Sequence, residues 1–138
     1  MMIKNRMPEI ATVNETFATF AKECDVPTPI AMKFNLVFEE LLKNVISYAY
    51  RDDEDLDIEV KMESTGKRLT VTIADDGVPF NPLSAGAPDI DAPLEEREIG
   101  GLGIHLVRNL MDDVSYHRRI DRNVMTLVKD IEQEGGAS

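Results

Sequence analysis

The chain has 138 residues, of which 43% are apolar, and a formal net charge of -11. This length and composition predict one globular domain and argue against two. The acidic charge repels nucleic acid phosphates and anionic lipid headgroups, so we expect neither direct nucleic acid binding nor a membrane partner. No apolar run approaches the roughly 20 residues that a bilayer-spanning helix needs, which favours a cytoplasmic protein. The single cysteine, Cys24, argues against disulfides and zinc.

Two helices are predicted in the first 50 residues. Apolar side chains recur there at three- and four-residue steps: Ile10, Val13, Phe17, Phe20 and Cys24. This amphipathic helix should end near the turn at 25–29. Thr28 is then predicted to cap a second helix, with Pro29 at its first position, that runs to about Tyr50.

Two antiparallel hairpins are predicted from alternating apolar and polar residues. The predicted strands are 56–63, 68–74, 113–119 and 123–131, and the turn of the second hairpin is expected around 121–123. Residues 80–99 lack periodicity and form a predicted long loop, and a third helix is predicted from about Leu102. This order of elements predicts an α/β, two-layer sandwich with the helices on one face of the sheet.

The second predicted helix carries polar side chains beside its apolar stripe. At about 100° per residue, Glu39 points away from the stripe centred on Leu41 and is predicted to be a solvated acid. Glu40 and Asn44, four residues apart, lie along one flank of the stripe at the boundary with solvent. Taken alone, this pair fits an ordinary hydrogen bond between neighbours better than a ligand site.

Another acid ends the second predicted strand. The inward parity of Val71 and Ile73 continues to Asp75, whereas Asp76 faces the other way. A carboxylate buried there is costly without a partner, and a ligand amine would be one such partner. Gly77 would let a planar group approach the backbone, although an Asp-Gly pair is also typical of an ordinary turn.

Three glycines open the third predicted helix: Gly100, Gly101 and Gly103. Unobstructed backbone N–H groups at a helix start can bind phosphate oxygens. The spacing matches neither a P-loop, which needs Gly-Lys-Ser/Thr, nor the dinucleotide fingerprint, which directly follows a strand. The alternative is a flexible hinge, but a loop of about 20 residues is more often a lid than idle chain.

Together, the Glu-xxx-Asn helix, the Asp-x-Gly after a strand and the long loop ending in Gly-x-Gly resemble the GHKL (Bergerat-fold) ATP-binding family. The segments "FEELLKNVISYAY", "DDGVPFNPL" and "GGLGIHLVRNLMDDVSY" are similar to its branch of anti-sigma factor serine-protein kinases. The resemblance implies one histidine kinase-like ATP-binding domain over residues 1–138. It also implies a mixed, mostly antiparallel sheet, helices on one face, and an ATP lid at about 80–100. For the family's first edge strand only "MMIKNRM" is available.

The resemblance also implies roles for individual residues. Glu40 matches the family's general base and Asn44 its Mg²⁺ ligand, with the ion arriving together with ATP. Asp75 matches the carboxylate that accepts a hydrogen bond from the adenine amino group, and Gly77 lies beside the ring.

Further along the chain, Gly101 and Gly103 match the lid glycines around the phosphates, and Thr126 matches the threonine of a late strand near the nucleotide. Two positions depart from the pattern of the wider family or of this branch. Pro79 stands where many GHKL enzymes have a second glycine, as is common in the anti-sigma branch, and Tyr48 stands where that branch commonly has histidine.

The function that the resemblance implies is an ATP-dependent anti-sigma regulatory kinase. Such a protein binds ATP/ADP and Mg²⁺, transfers the γ-phosphate to Ser/Thr of a STAS-type anti-anti-sigma partner and sequesters a sigma factor. Members of this branch are often homodimers, so a homodimer is possible here.

Two other readings remain. One is a nucleotide-dependent protein-binding switch without phosphotransfer. The other, the catalytic domain of a two-component histidine kinase, is disfavoured, because it needs an attached helix with a phosphoacceptor histidine. The only histidines are His105 and His117, on the third predicted helix and in a predicted strand.

Overall fold

A computed structural model describes residues 1–48, 57–83 and 101–131, with the backbone alone at 48 and 101–103. In chain order the elements are β1 (Met2–Lys4), α1 (Glu9–Glu23), α2 (Thr28–Tyr48), β2 (Asp57–Ser64), β3 (Arg68–Asp75), α3 (Gly101–Leu110), β4 (Asp113–Arg119) and β5 (Arg122–Asp130). From α1 onward the predicted order of helices and strands is confirmed, and β1 precedes it. The predicted helix end near Tyr50 and residues 84–100 of the predicted lid lie outside the described residues.

The strands form one sheet in the order β1-β2-β3-β5-β4. Every described pair of neighbouring strands is antiparallel, so the sheet expected to be mostly antiparallel is antiparallel throughout these strands. β3 is the central strand, and its register with β5 places Asp75 opposite Asn123. The C-terminal end of β3 and the N-terminal end of β5 therefore lie side by side at the same end of the sheet.

β1 is a short edge strand that the alternation of residues did not resolve. Its Ile3 pairs with Ile58 of β2, and both side chains are buried. The backbone N–H of Val60 also donates to the carbonyl of Met1 at 2.9 Å. Three residues are too few to show a period of two, which is why the pattern alone left this strand open.

The helices pack on one face of the sheet around a single core. α1 buries one stripe at helical spacing: Ile10, Val13, Phe17 and Ala21. α2 is buried over a wider face because it contacts both α1 and α3. Phe17 of α1 lies 5.1 Å from Phe34 and 5.2 Å from Phe38, measured between ring centroids. These aromatic contacts hold α2, and with it Glu40 and Asn44, in a fixed position against α1.

The two faces of the sheet differ in polarity. Buried apolar side chains alternate along β3 and β5 on the helix side, among them Val71, Ile73, Met125 and Leu127. Their neighbours on the opposite face are polar and partly exposed, including Thr70, Thr72, Ser115 and Thr126. The α/β sandwich with helices on one face is therefore confirmed. None of the helices in the described ranges has the length and apolar character that crossing a bilayer requires.

The hairpin between β4 and β5 turns earlier than the sequence predicted. Arg119 pairs with Arg122, so the turn consists of Ile120 and Asp121, both with positive φ (39° and 61°). The polar run at 121–123 is typical of a turn, and for this reason the turn was predicted there. In the structure Asn123 is a buried residue of β5.

Candidate functional site

Asp75 is the last residue of β3, and its side chain lies on the helix side of the sheet, as its parity predicted. It is only 2% exposed, although a carboxylate is among the groups least often buried. Asp76, the next residue, is exposed and pairs with Arg122, whose Nε lies 3.0 Å from its Oδ1. The chain thus places two adjacent acids in opposite environments.

Two hydrogen bonds fix the Asp75 carboxylate. The backbone N–H of Gly77 and the Nδ2 of Asn123 both donate to Asp75 Oδ1, each at 2.9 Å. Within the described part of the chain, no other hydrogen bond reaches this carboxylate, so the lone pairs of Oδ2 remain available to a ligand.

The pKa of Asp75 is raised above its ordinary value, chiefly because burial removes water from the charged form. The hydrogen bonds from Asn123 and Gly77 and the positive charge of Arg118 act in the opposite direction but do not cancel this effect. Asp75 is therefore a carboxylate that lacks full solvation. A donor N–H from a ligand would supply part of what burial removes.

Asn123, 3% exposed, connects Asp75 to the segment that follows β3. Its Nδ2 also donates to the carbonyl of Val78 at 2.8 Å. Its Oδ1 accepts from the backbone N–H of Phe80 at 3.1 Å and from the hydroxyl of Tyr116 at 2.5 Å. These four hydrogen bonds define which end of the amide is the donor, because two acceptors surround Nδ2 and two donors surround Oδ1.

Arg118 of β4 adds a second tie to the same segment. It lies opposite Asn123 on the helix side of the sheet, and its Nη1 donates to the carbonyl of Gly77 at 2.8 Å. The segment 77–80 is thus held from β4 and β5 by side chains that lie beside the buried carboxylate. This rigid support allows the site to present Asp75 in one orientation.

The polar flank of α2 lies where the sequence placed it. Glu39 is exposed, Glu40 is half-buried and Asn44 is 9% exposed, in agreement with a flank at the boundary of the core. The side chain of Asn44 makes no hydrogen bond to the residues that the structure describes, so its oxygen is available to a ligand. No described hydrogen bond joins this flank to Asp75, and the two groups are separate parts of the candidate site.

The two lid glycines of the sequence analysis lie at the start of α3. Gly101 is its first residue and Gly103 belongs to its first turn. The first N–H groups of a helix have no partner within the helix and carry its partial positive charge. Since α3 packs against α2, this helix start belongs to the same helical layer as Glu40 and Asn44.

Thr126, which the resemblance matches to a threonine near the nucleotide, lies on the face of the sheet opposite to that of Asp75. It pairs with Thr72 and points to the side of the sheet opposite the helices, because it is an odd number of residues from Asn123. Asn123 occupies the position on β5 that faces Asp75. The alternation of inward-facing residues along β5, from Leu127 and Met125 back to position 123, predicts that Asn123 faces inward. The polar neighbours Asp121 and Arg122 suggested a turn at this position instead.

A site for a free divalent cation is not evident in the described residues. No cluster of three or more His, Cys, Asp or Glu side chains occurs among residues 1–48, 57–83 and 104–131. The amide oxygen of Asn44 is a hard ligand of the type that Mg²⁺ accepts, but one neutral ligand is insufficient. The donor set therefore fits Mg²⁺ that brings most of its ligands with it, as phosphate oxygens and water.

Comparison with known proteins agrees with this geometry. The family model described as "Histidine kinase-like ATPase domain" matches residues 3–129. The serine/threonine-protein kinase BtrW of Bordetella bronchiseptica is 31% identical over 98 residues, which are 70% of this chain and 69% of BtrW. The serine-protein kinase RsbW of Bacillus mycoides is 28% identical over 118 residues, which are 83% of this chain and 73% of RsbW.

Solved structures share the fold at lower identity. The catalytic domain of the histidine kinase ThkA superposes with a TM-score of 0.57 at 14% identity, covering 95% of this chain and 96% of that domain. The SiaB–SiaC complex from Pseudomonas aeruginosa gives a TM-score of 0.57 at 15% identity, covering 95% of this chain and 89% of the matched chain. With the match over 3–129 and the similarity to BtrW and RsbW, the chain belongs to the histidine kinase-like ATPase domain family, in its branch of anti-sigma factor serine-protein kinases.

Proposed function

We propose that this protein is an ATP-dependent kinase that phosphorylates a serine or threonine of a STAS-type anti-anti-sigma protein and regulates a sigma factor by binding it. The observation that carries the proposal is the buried Asp75 carboxylate, clamped through Oδ1, at the edge of a sheet of the ATPase family. The similarity to kinases of the RsbW and BtrW type supports a protein substrate.

In this proposal the adenine base binds at Asp75. Oδ2 accepts a hydrogen bond from the exocyclic amino group. Because Gly77 has no side chain, the adenine ring can lie close to the backbone there. The phosphates extend toward the start of α3, where the N–H groups of Gly101 and Gly103 bind their oxygens. Mg²⁺, held by Asn44, phosphate oxygens and water, would neutralise part of the phosphate charge.

The chemical step needs a base near the attacking hydroxyl. The serine or threonine oxygen forms a bond to the γ-phosphorus, the bond from that phosphorus to the β–γ bridging oxygen breaks, and ADP leaves. Glu40 takes the hydroxyl proton. Its half-buried position at the edge of the α2 stripe supports this role, because a base must reach the ligand.

A phosphotransfer assay with a purified STAS-type protein as the acceptor tests the proposal. We expect wild-type protein with ATP and Mg²⁺ to phosphorylate that partner, and Glu40→Gln to lower the rate by at least about 100-fold, the usual contribution of a general base. Glu39→Gln is the matched control, since it removes the same charge from the exposed neighbour.

Equal rates for the two variants would contradict the role of Glu40. If wild type binds ATP and the partner without any transfer, and Asn44→Ala abolishes both binding events, the protein is a nucleotide-dependent binding switch instead. That result would remove the kinase proposal and keep the nucleotide site.

A further inference from the structure

The side chain of Asn123 makes four hydrogen bonds at the candidate site. Its amide bridges three segments: the end of β3 through Asp75, the following loop through Val78 and Phe80, and β4 through Tyr116. All four bonds are at hydrogen-bond distance, and the residue is almost fully buried. An amide satisfied on both ends cannot rotate without losing several of these bonds at once.

The consequence for Asp75 follows from which oxygen is occupied. Asn123 and Gly77 both donate to Oδ1, so rotation of the carboxylate is blocked and Oδ2 is the oxygen left for a ligand. Two N–H donors on one oxygen also favour the ionised form, which only accepts hydrogen bonds. A fixed ionised acceptor attracts an amino group and repels a carbonyl oxygen at the same place.

We propose that Asn123 is a positioning residue that sets base selectivity, by holding Asp75 as a pure acceptor toward a 6-amino purine and against a 6-oxo purine. This inference rests on the proposed function, because it assigns a role within the same nucleotide site. It concerns a side chain that the family resemblance did not assign, since that resemblance pointed to Thr126 on the other face of the sheet.

The predicted signature is a change in discrimination between ADP and IDP. Adenine presents a 6-amino donor and an N1 acceptor, whereas hypoxanthine presents a 6-oxo acceptor and an N1–H donor. Replacement of Asn123 by leucine removes the donor to Asp75, so the carboxyl group can rotate or take up a proton and then donate to the oxygen of IDP. ADP affinity should fall while IDP affinity falls less or rises. The ratio of the two affinities should shrink by at least about tenfold, the lower range expected for a lost hydrogen bond in a buried site.

Calorimetric titration of ADP and IDP into wild type, Asn123→Leu and Asn123→Asp tests this proposal. Asn123→Asp keeps the size and both acceptor contacts of Asn123 but places a second carboxylate 2.9 Å from Asp75, so it should lower the ratio even if Asn123→Leu folds poorly. Met125→Ala is the matched structural control. It removes packing from the next helix-side position of β5 and should lower the melting temperature without changing the ratio.

The outcomes separate the two levels of the account. Folded Asn123 variants that keep the wild-type ratio of affinities, or lose ADP and IDP equally, would overturn the role of Asn123 and leave the nucleotide site intact. Failure of wild type to bind either nucleotide would overturn the proposed function and this inference together. A reduced ratio in both Asn123 variants, with the ratio of Met125→Ala unchanged, is the expected result.

Discussion

At the scale of single residues, Asp75 is a buried carboxylate with a raised pKa. Its folded-state pKa lies above the unfolded value, so the folded protein binds this proton more tightly than the unfolded chain does. The stability that this group contributes is therefore present at low pH and lost as the pH rises through the folded-state pKa. At neutral pH an ionised, buried Asp75 costs folding free energy, as is common for functional side chains.

Asp75→Asn should remove this cost. Its side-chain oxygen can accept from both Gly77 and Asn123, so the two hydrogen bonds of the native site are kept without the charge. We expect the free energy of unfolding of ligand-free protein at pH 7 to equal or exceed that of wild type by about 1 kcal/mol. Urea denaturation at neutral and at acidic pH measures this, and the difference should shrink on acidification. A variant less stable than wild type at pH 7 would show that Asp75 stabilises the fold.

Residue-level prediction from the sequence succeeded where strand parity was enough. Parity placed Asp75 inward, and helical geometry placed Glu39 outside with Glu40 and Asn44 at the core boundary. It could not identify Asn123, because the importance of that residue depends on the register between β3 and β5, which no local pattern reveals. The resemblance pointed to Thr126, whose side chain lies on the other face of the sheet from Asp75.

At the scale of elements, the β4–β5 hairpin pairs continuously along the whole length of β4, but the backbone conformation of its turn is unfavourable for the residues that form it. Ile120 is 95% exposed at a φ of 39°, and Asp121 has a φ of 61°. Positive φ at both central residues is the geometry for which Asn-Gly is preferred, and a β-branched residue is strained there. The turn lies next to Arg118 and Asn123, so it supports the candidate site indirectly.

We predict that the double substitution Ile120→Asn and Asp121→Gly stabilises the protein by about 1 kcal/mol, because it relieves this strain. Chemical denaturation measures the gain, and Ile120→Val is the control, since it keeps a β-branched residue at the same φ. Loss of stability in the double variant would mean that the isoleucine side chain contributes contacts that outweigh its backbone strain.

Element boundaries were largely readable from the sequence. β3 and β4 lie within one residue of their predicted ranges, and α3 begins one residue before Leu102. Long alternating or helical stretches carry enough periodicity to define themselves. β1 was missed as a separate element because its stability comes from pairing with β2 rather than from its own pattern.

At the scale of the whole molecule, the net charge of -11 opposes any nucleotide that approaches. In the proposed site, the N–H groups at the start of α3 and the Mg²⁺ held by Asn44 would have to compensate for this repulsive field. Mg²⁺ lowers the negative charge of ATP, so it should reduce this repulsion as well as supply a ligand bridge. The field acts over about 10 Å at 0.1 M salt and less at higher salt.

We therefore predict that chelation of Mg²⁺ weakens ATP binding severalfold, and more strongly at low than at high ionic strength. Titrations with and without EDTA, at about 20 mM and about 300 mM NaCl, measure both effects. A loss of affinity that is the same at both salt concentrations would assign the effect of Mg²⁺ to direct coordination alone and leave no role for the global charge.

The central claim is that an adenine base binds at Asp75. Calorimetric titration of ADP into wild type and Asp75→Asn tests it most directly, because the variant keeps the hydrogen bonds to Gly77 and Asn123 and turns only the ligand-facing acceptor into a donor. We predict that wild type binds ADP and that the folded variant binds it at least about tenfold more weakly. Equal affinity of the two proteins, or no binding by wild type, would contradict the account.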